Sequence, residues 1–501
     1  MYVFQHAGQL SIEEFYTPFG GKLDANNRWV LLRNLIPWMP LESQYAPRFS
    51  AKTGAPAKPF QMAFGALYIQ QRLGVTDRET VQLITESPYL QFFIGLSAYQ
   101  AMPPFDPSMM VHFRKRIGPD LIKICNDMTK ANGIAMIKEM LVSAEEDASE
   151  EEEEQQLAAI DEALGVKPAT LDPESNWGTL ILDATCVPDD IPYPVDLRLL
   201  NEAREATEKI IDELFKQLQG KINRKPRCNR DKARNRFLAI IKKKKPKSAE
   251  IRRNLRAIDQ MIHCGVMLLE LGTQLYRKLL ITSELYRKQQ EMYDADSRRI
   301  DDRIVNLSKP HVRPIVRGKA GRRTEFGAKI SISDDNGFVD VDRISWDNYN
   351  EANDLIARAK QYKEERGYYP ARICADSIYM TLGNKKFCAE NNIRLSGRPR
   401  KKQVEAEVQT AEQQELFKSD LRKRSVIEGR IGTSKRKYGL DQIMTKLIET
   451  SRTVITMAFF VMNAEKILRL LRFLFSILVS VYILMLYLFA SWRRPAPLWA
   501  A

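Results

Sequence analysis

Apolar residues recur at helical spacing from Asn27 to about Ile137, broken where proline or glycine intervenes. Within that region Pro59 to Arg72 predicts one helix and Gly74-Val75 a turn. Thr76 predicts the start of the next helix, because Glu79 three positions on allows hydroxyl and carboxylate each to satisfy a backbone N–H left free at a helix start. Ser87-Pro88 and an apolar run to Ile94 continue a helix-turn-helix rhythm, which suits DNA binding and equally any small helical bundle. Asp106-Pro107-Ser108 opens a short helix with His112, Arg114, Lys115 and Arg116, charges that fit phosphates or an exposed face.

The period changes at Thr179. Thr179 to Leu182 is a short continuous apolar run, the pattern of a buried strand, and it ends in Asp183. From about 197 to 308 the pattern is helical and heavily charged, which predicts a long helical insertion. Strand alternation returns at Thr324 to Ser333 and Phe338 to Ile344, with Asn336-Gly337 between them as a hairpin signal. A helix is expected from about Tyr349 to Glu365, then a short strand, Arg372 to Ala375, that also ends in an aspartate, Asp376.

Charge sharpens this organisation. The 501 residues carry a net charge of +14, and residues 221–247 hold thirteen Lys/Arg against one acid, Asp231. Such a block is either a solvated face or a surface for a polyanion, and with the overall charge nucleic acid becomes the leading partner. Residues 145–154 hold eight acids and read as a linker. Six cysteines without a C-x-x-C pair and four scattered histidines exclude a disulfide framework and the usual zinc spacings, so metal chemistry falls to carboxylates. No Walker spacing is present, and Met1 to Leu10 lacks the pattern of a secretory signal. Phe473 to Ala490 is apolar apart from two serines and lies at the lower limit of about 18 residues for a membrane span; a buried or oligomer-forming helix is the alternative.

Two aspartates closing two short buried strands carry the candidate chemistry. Parallel strands bring their carboxyl ends to one edge, and two acids there make a pocket suited to Mg²⁺. Phosphodiester cleavage by a two-metal site asks for a third acid. Asp189, Asp190 and Asp196 compete for the first position, and a strand-end aspartate that merely caps a helix is the plain structural reading of either. Arg424 and Glu428 share a helical face at i,i+4, while Gly429 and Gly432 make it doubtful that the helix continues to Lys435.

The spacing Arg424, Glu428, Lys435 resembles the R-x-x-x-E-x-x-x-x-x-x-K signature of bacterial insertion-sequence DDE transposases. Leu182-Asp183-Ala184-Thr185, Val316 to Lys319, Glu325 to Lys329, Asp376-x-x-Tyr379 and Ile393 to Gly397 are similar to the family in the same order. The N-terminal helical region also resembles the domain preceding the catalytic core, and together the likeness covers most of residues 20–470.

The resemblance implies an α/β protein: a ribonuclease-H-like core with a long helical insertion, preceded by an all-α DNA-binding domain. The divisions expected are 1–140 for that domain, 141–172 for the acidic linker, 173–470 for the catalytic domain and 471–501 for the apolar tail. Asp183, Asp376 and Glu428 would bind two Mg²⁺ ions, with Mn²⁺ as a substitute. Arg424, Lys435, Arg317, Lys319 and Lys329 would contact DNA, and Tyr379 would stack on the strand or position it. The implied activity is cleavage at terminal inverted repeats and strand transfer into target DNA by a homodimer in the bacterial cytoplasm, associated with the nucleoid. The alternatives are a catalytically inactive DNA binder derived from a transposase and a membrane-tethered nucleic-acid-binding protein. The wide interval between Asp183 and Asp376 requires the insertion to be an excursion from the core.

Overall fold

The computed structural model describes residues 11–17, 20–50, 54–142, 171–217, 230–242, 273–297, 299–316, 324–397 and 411–492, with residues 2, 4, 167 and 168. The acidic tract 145–154, Arg317, Lys319 and all of the basic block except residues 230–242 lie outside the described residues.

The N-terminal region is helical, as its periodicity predicts. Helices α1 (Arg28–Leu35), α2 (Trp38–Tyr45), α3 (Phe60–Leu73), α4 (Asp77–Glu86) and α5 (Pro88–Phe93) follow in order. Gly74, at φ 68°, ends α3 in the left-handed conformation that a side chain disfavours. Thr76 and Glu79 form the reciprocal cap of α4. Helix α6 (Met109–Val142) is far longer than the short helix expected; Gly118 breaks it at φ 62°, and Pro119 opens its second part. Arg114 does not face phosphate: it is buried, bonded to Gln70 (2.6 Å) and ion-paired with Asp77.

One mixed sheet follows. Strand β1 (Thr179–Pro188) pairs antiparallel with β3 (Thr324–Asp335) and, over Thr179 to Ile181, parallel with β5 (Arg372–Cys374). Strand β5 pairs parallel with β6 (Arg394–Ser396), while β3 also takes β4 (Phe338–Ser345) and β2 (Arg313–Val316). The β3–β4 turn carries Asn336 and Gly337 at φ 51° and 82°, the paired positive values that the Asn-Gly signal demands. Helices α7 (Asp196–Gln217), α8 (Arg230–Ile241) and α9 (Thr273–Asp294) form the insertion between β1 and β2. Apolar contacts among Leu199, Ala203, Leu285 and Ile304 hold α7 to α9. Helices α10 (Asp354–Arg366), α11 (Leu382–Glu390), α12 (Ala411–Lys437) and α13 (Ile448–Trp492) complete the order.

A single apolar cluster runs from Trp29 through sheet residues Ile181, Ile330 and Val339 to Leu471, so the N-terminal helices and the sheet share one core. Helix α13 makes that junction. Phe460 meets Phe64 and Tyr68 with ring centroids 5.1 and 5.9 Å apart. Gly133 of α6 lets the two helices approach, since a Cβ there would lie 2.5 Å from Ile467 Cγ2. Buried Asn463 donates to Asn126 and to the Val339 carbonyl and accepts from the Val339 N–H, all at 2.9 Å, which satisfies its amide without water.

Among the described residues no helix is long and apolar enough to cross a membrane. Phe473 and Phe475 extend beyond the core and are exposed. The side chains of the run from 481 onward lie outside the described residues.

Candidate active site

The register of the parallel strands sets the site. Ile181 of β1 is level with Cys374 of β5, and Asp183 and Asp376 each lie two residues further on. Contrary to the sequence expectation, β1 does not end at Asp183: it runs to Pro188 because β3 supports it along its other edge. The parallel pairing is what stops after Ile181, and that opens the edge beside Asp183. Asp376 also caps a short turn, its carboxylate accepting from the Ser377 N–H at 2.7 Å, so the capping reading holds alongside the site position.

Helix α12 brings the third acid. It continues without a break through Gly429 and Gly432, so Arg424, Glu428 and Lys435 all lie on one helix. The Arg424 guanidinium stands 3.1 Å from Glu428 and 4.0 Å from Asp376. Lys435 donates to the Cys186 carbonyl at 2.7 Å, which holds the helix against β1. Burial pushes the Asp183 carboxyl up to about 6, with Asp376 and Glu428 adding to the rise while the Ala184 N–H and Arg424 oppose it. A group so placed holds surplus negative charge in a part-dry setting, where a cation is favoured.

These residues line one cleft of about 1100 Å³ together with Lys329, Tyr349 and Glu351. Glu351 was not singled out by its sequence context. Its carboxylate pairs with Lys329, whose ammonium also donates to the Tyr349 carbonyl at 2.7 Å. Asn350, capping a turn, is the local signal there, but only the β3–β4 fold-back carries Glu351 to Lys329. Tyr379 does not offer its ring to a strand: it is 2% exposed and packs with Leu182, Leu355 and Ile393. Its stem supports the Asp376 turn from below, since its N–H donates to the Asp376 carbonyl at 3.0 Å.

The competing acids lie elsewhere. Asp189 is buried against Lys309 (2.9 Å) and the Trp346 indole N–H (3.1 Å), Asp190 accepts from Gln442 (2.7 Å), and Asp196 pairs with Arg303 (2.7 Å). Cys186 and Cys374 are buried small residues beside the cleft. Among the described residues no three His, Cys, Asp or Glu side chains stand close enough to grip a metal ion as they are arranged. The three acids nevertheless supply only oxygen donors to one cleft, the donor chemistry that Mg²⁺ prefers.

Residues 18–116 match the family described as Transposase domain (DUF772), and residues 373–465 match Transposase DDE domain. The second match contains Asp376, Arg424, Glu428 and Lys435, whereas Asp183 precedes it. An uncharacterized protein of Rhizobium meliloti, ORF8 in the nfe locus, is 30% identical over 189 residues, which cover 37% of this chain and 75% of that protein. No solved structure matches. With a transposase domain at one end, a DDE domain at the other and the acids of both strands facing one cleft, this chain belongs to the DDE transposases of bacterial insertion sequences.

Proposed function

We propose that the protein cuts DNA at the terminal inverted repeats of its element and joins the freed 3′-hydroxyl ends to target DNA. The reading is carried by the convergence of Asp183, Asp376 and Glu428 on one cleft beside Arg424 and Lys435. The strand order β4-β3-β1-β5-β6, with a helical excursion between β1 and β2, supports a ribonuclease-H-like core. Asp183, Asp376 and Glu428 bind two divalent ions, Mg²⁺ or its substitute Mn²⁺. When bound, these activate the attacking oxygen and stabilise the leaving one.

The remaining work belongs to the chain. Arg424, already among the carboxylates, turns its donors to the scissile phosphate and keeps charge balanced as that phosphate enters. Lys435 fixes α12 against β1 and faces the strand from the cleft wall. Glu351 holds Lys329 in position at the same wall. Arg317 and Lys319 follow Val316 of the cleft lining in sequence and are assigned to the DNA backbone on that ground. The N-terminal helices read the repeats, and a homodimer pairs the two ends.

Cleavage of end-bearing DNA by the purified protein tests this reading, in Mg²⁺, in EDTA, and with Asp183→Ala, Asp376→Ala and Glu428→Ala. Metal-dependent nicking at the repeat, lost in each variant, is expected. Specific binding without cleavage in any metal would replace the enzyme with an inactive DNA binder.

A further inference from the structure

The opposite ends of the same parallel strands carry a second charged cavity, of about 490 Å³. Arg372 opens β5, Arg394 opens β6, and Lys423 approaches from α12. These three cations surround one buried carboxylate, Asp420. Arg394 meets it through two bonds of 2.8 and 3.0 Å and Arg372 through one contact of 3.3 Å. Arg372 also donates to the Thr179 hydroxyl. Two guanidiniums thus take up Asp420, and Lys423, half-buried, makes no hydrogen bond or ion pair with any described residue. Three positive groups against one negative leave a net charge of about +2 at a concave surface, and the partial burial weakens screening by water. Trp177 forms part of the wall and offers an aromatic surface beside the cations.

Like charges gathered at a concave site are costly without a counter-anion. Burial, with Arg372 next in weight, lowers the Lys423 ammonium below its usual range against the opposing pull of Asp420. A phosphate fits this site better than a carboxylate, because its several oxygens can accept from the guanidinium N–H groups that Asp420 and Thr179 do not take up and from the ammonium together.

We infer that the cavity formed by Arg372, Arg394 and Lys423 is a phosphate-binding site for a DNA strand, separate from the cleavage cleft. The inference rests on the proposed function for its choice of ligand. Arg372 opens β5 and Asp376 lies two residues past the end of that strand, four residues on, so the two are at most about 13 Å apart at roughly 3.3 Å per residue. That is about four nucleotide steps at roughly 3.4 Å each. The site therefore holds the flank of the DNA whose scissile phosphate lies in the cleft, and it fixes register without taking part in the chemistry.

The test is the salt dependence of binding to end-bearing duplex DNA, measured in EDTA so that no cleavage intervenes. Wild type is compared with Lys423→Gln, Lys423→Arg and, as a distant control, Lys386→Gln. Loss of one phosphate contact should reduce the slope of log K against log salt by about 0.9. Lys423→Gln is expected to do so and to weaken binding several-fold at moderate salt. Lys423→Arg should restore both, and Lys386→Gln should change neither. A wild-type slope in Lys423→Gln overturns the strand assignment, even if inorganic phosphate raises the melting temperature of wild type alone; that combination would mark a site for free phosphate. Failure of the wild-type protein to bind DNA overturns the proposed function itself and this site with it.

Discussion

The two ends of the parallel strands are near inversions of each other in charge. Where the parallel pairing of β1 and β5 stops, Asp183, Asp376 and Glu428 gather around one guanidinium, Arg424. At the opposite ends, Arg372, Arg394 and Lys423 gather around one carboxylate, Asp420. A fold selected for stability alone would pair these charges one to one. Each end instead keeps a surplus, of opposite sign, and each surplus suits the ligand proposed for it: a divalent cation at one end and a phosphate at the other. Helix α12 links the two, carrying Asp420 and Lys423 and, one and two turns beyond Asp420, Arg424 and Glu428.

The strongest separation of the two ends comes from function. Glu428→Gln should slow cleavage by about 10³-fold or more, equivalent to about 4 kcal/mol of barrier, and leave DNA affinity within a few-fold. Lys423→Gln should instead weaken DNA binding several-fold and leave the single-turnover cleavage rate on saturating DNA unchanged. Equal loss of affinity and cleavage in both variants, by binding titration and single-turnover nicking, would dissolve the distinction.

Removing each central counter-charge probes stability. Asp420→Asn leaves two guanidiniums and Lys423 uncompensated, and it should cost about 2 kcal/mol in urea unfolding. That is less than the 3–5 kcal/mol of a fully buried pair, because Arg372 and Arg394 are partly exposed. Added polyphosphate should recover part of the loss. Arg424→Met leaves three carboxylates uncompensated, and its cost should be about 1 kcal/mol at pH 8. That cost should shrink toward pH 5, where Asp183 is protonated, and divalent ions should recover it. A cost independent of pH would argue that Arg424 acts through packing.

A final effect, confined to the metal-free protein, concerns Asp183 alone. Its folded value, near 6, is above the unfolded value of 3.8. The folded state therefore holds the proton more tightly, and the associated stability is present below about pH 4 and lost as pH rises through about 6. Asp183→Asn should then raise the metal-free melting temperature at pH 8, by an amount equivalent to about 1–2 kcal/mol, and do little at pH 4. A uniform shift at both values would contradict the burial origin of the raised carboxyl.

Much of this architecture was legible from local chemistry. The Thr76–Glu79 cap, the Gly74 stop and the Asn336-Gly337 turn each depend on residues within a few positions, so spacing is enough to find them. Asp376 is legible just past its strand for the same reason, whereas β1 continues beyond Asp183 because β3, distant in sequence, supports it. The burial of Arg114 and Tyr379 lies beyond local reading because burial is a property of the partner surface: Asp77 and Gln70 come from other helices, and Leu182 and Leu355 from β1 and α10. The persistence of α12 through two glycines also lay beyond local reading, since packing of Ile427 and the Lys435 bond to Cys186 hold the helix where its propensity is weak.

The sequence by itself determined which elements form, where hairpin and caps fall, and which residue types could meet a metal or a phosphate. Only the tertiary structure decided which of those residues share a cleft. Asp183 and Asp376 become neighbours because a parallel register puts each two residues beyond one level of the sheet. Glu351 and Lys329 meet through the return of a hairpin, and α13 joins the N-terminal helices to β4. Contacts of this kind depend on surfaces brought together from distant parts of the chain, and charge or spacing within any one segment carries no information about them.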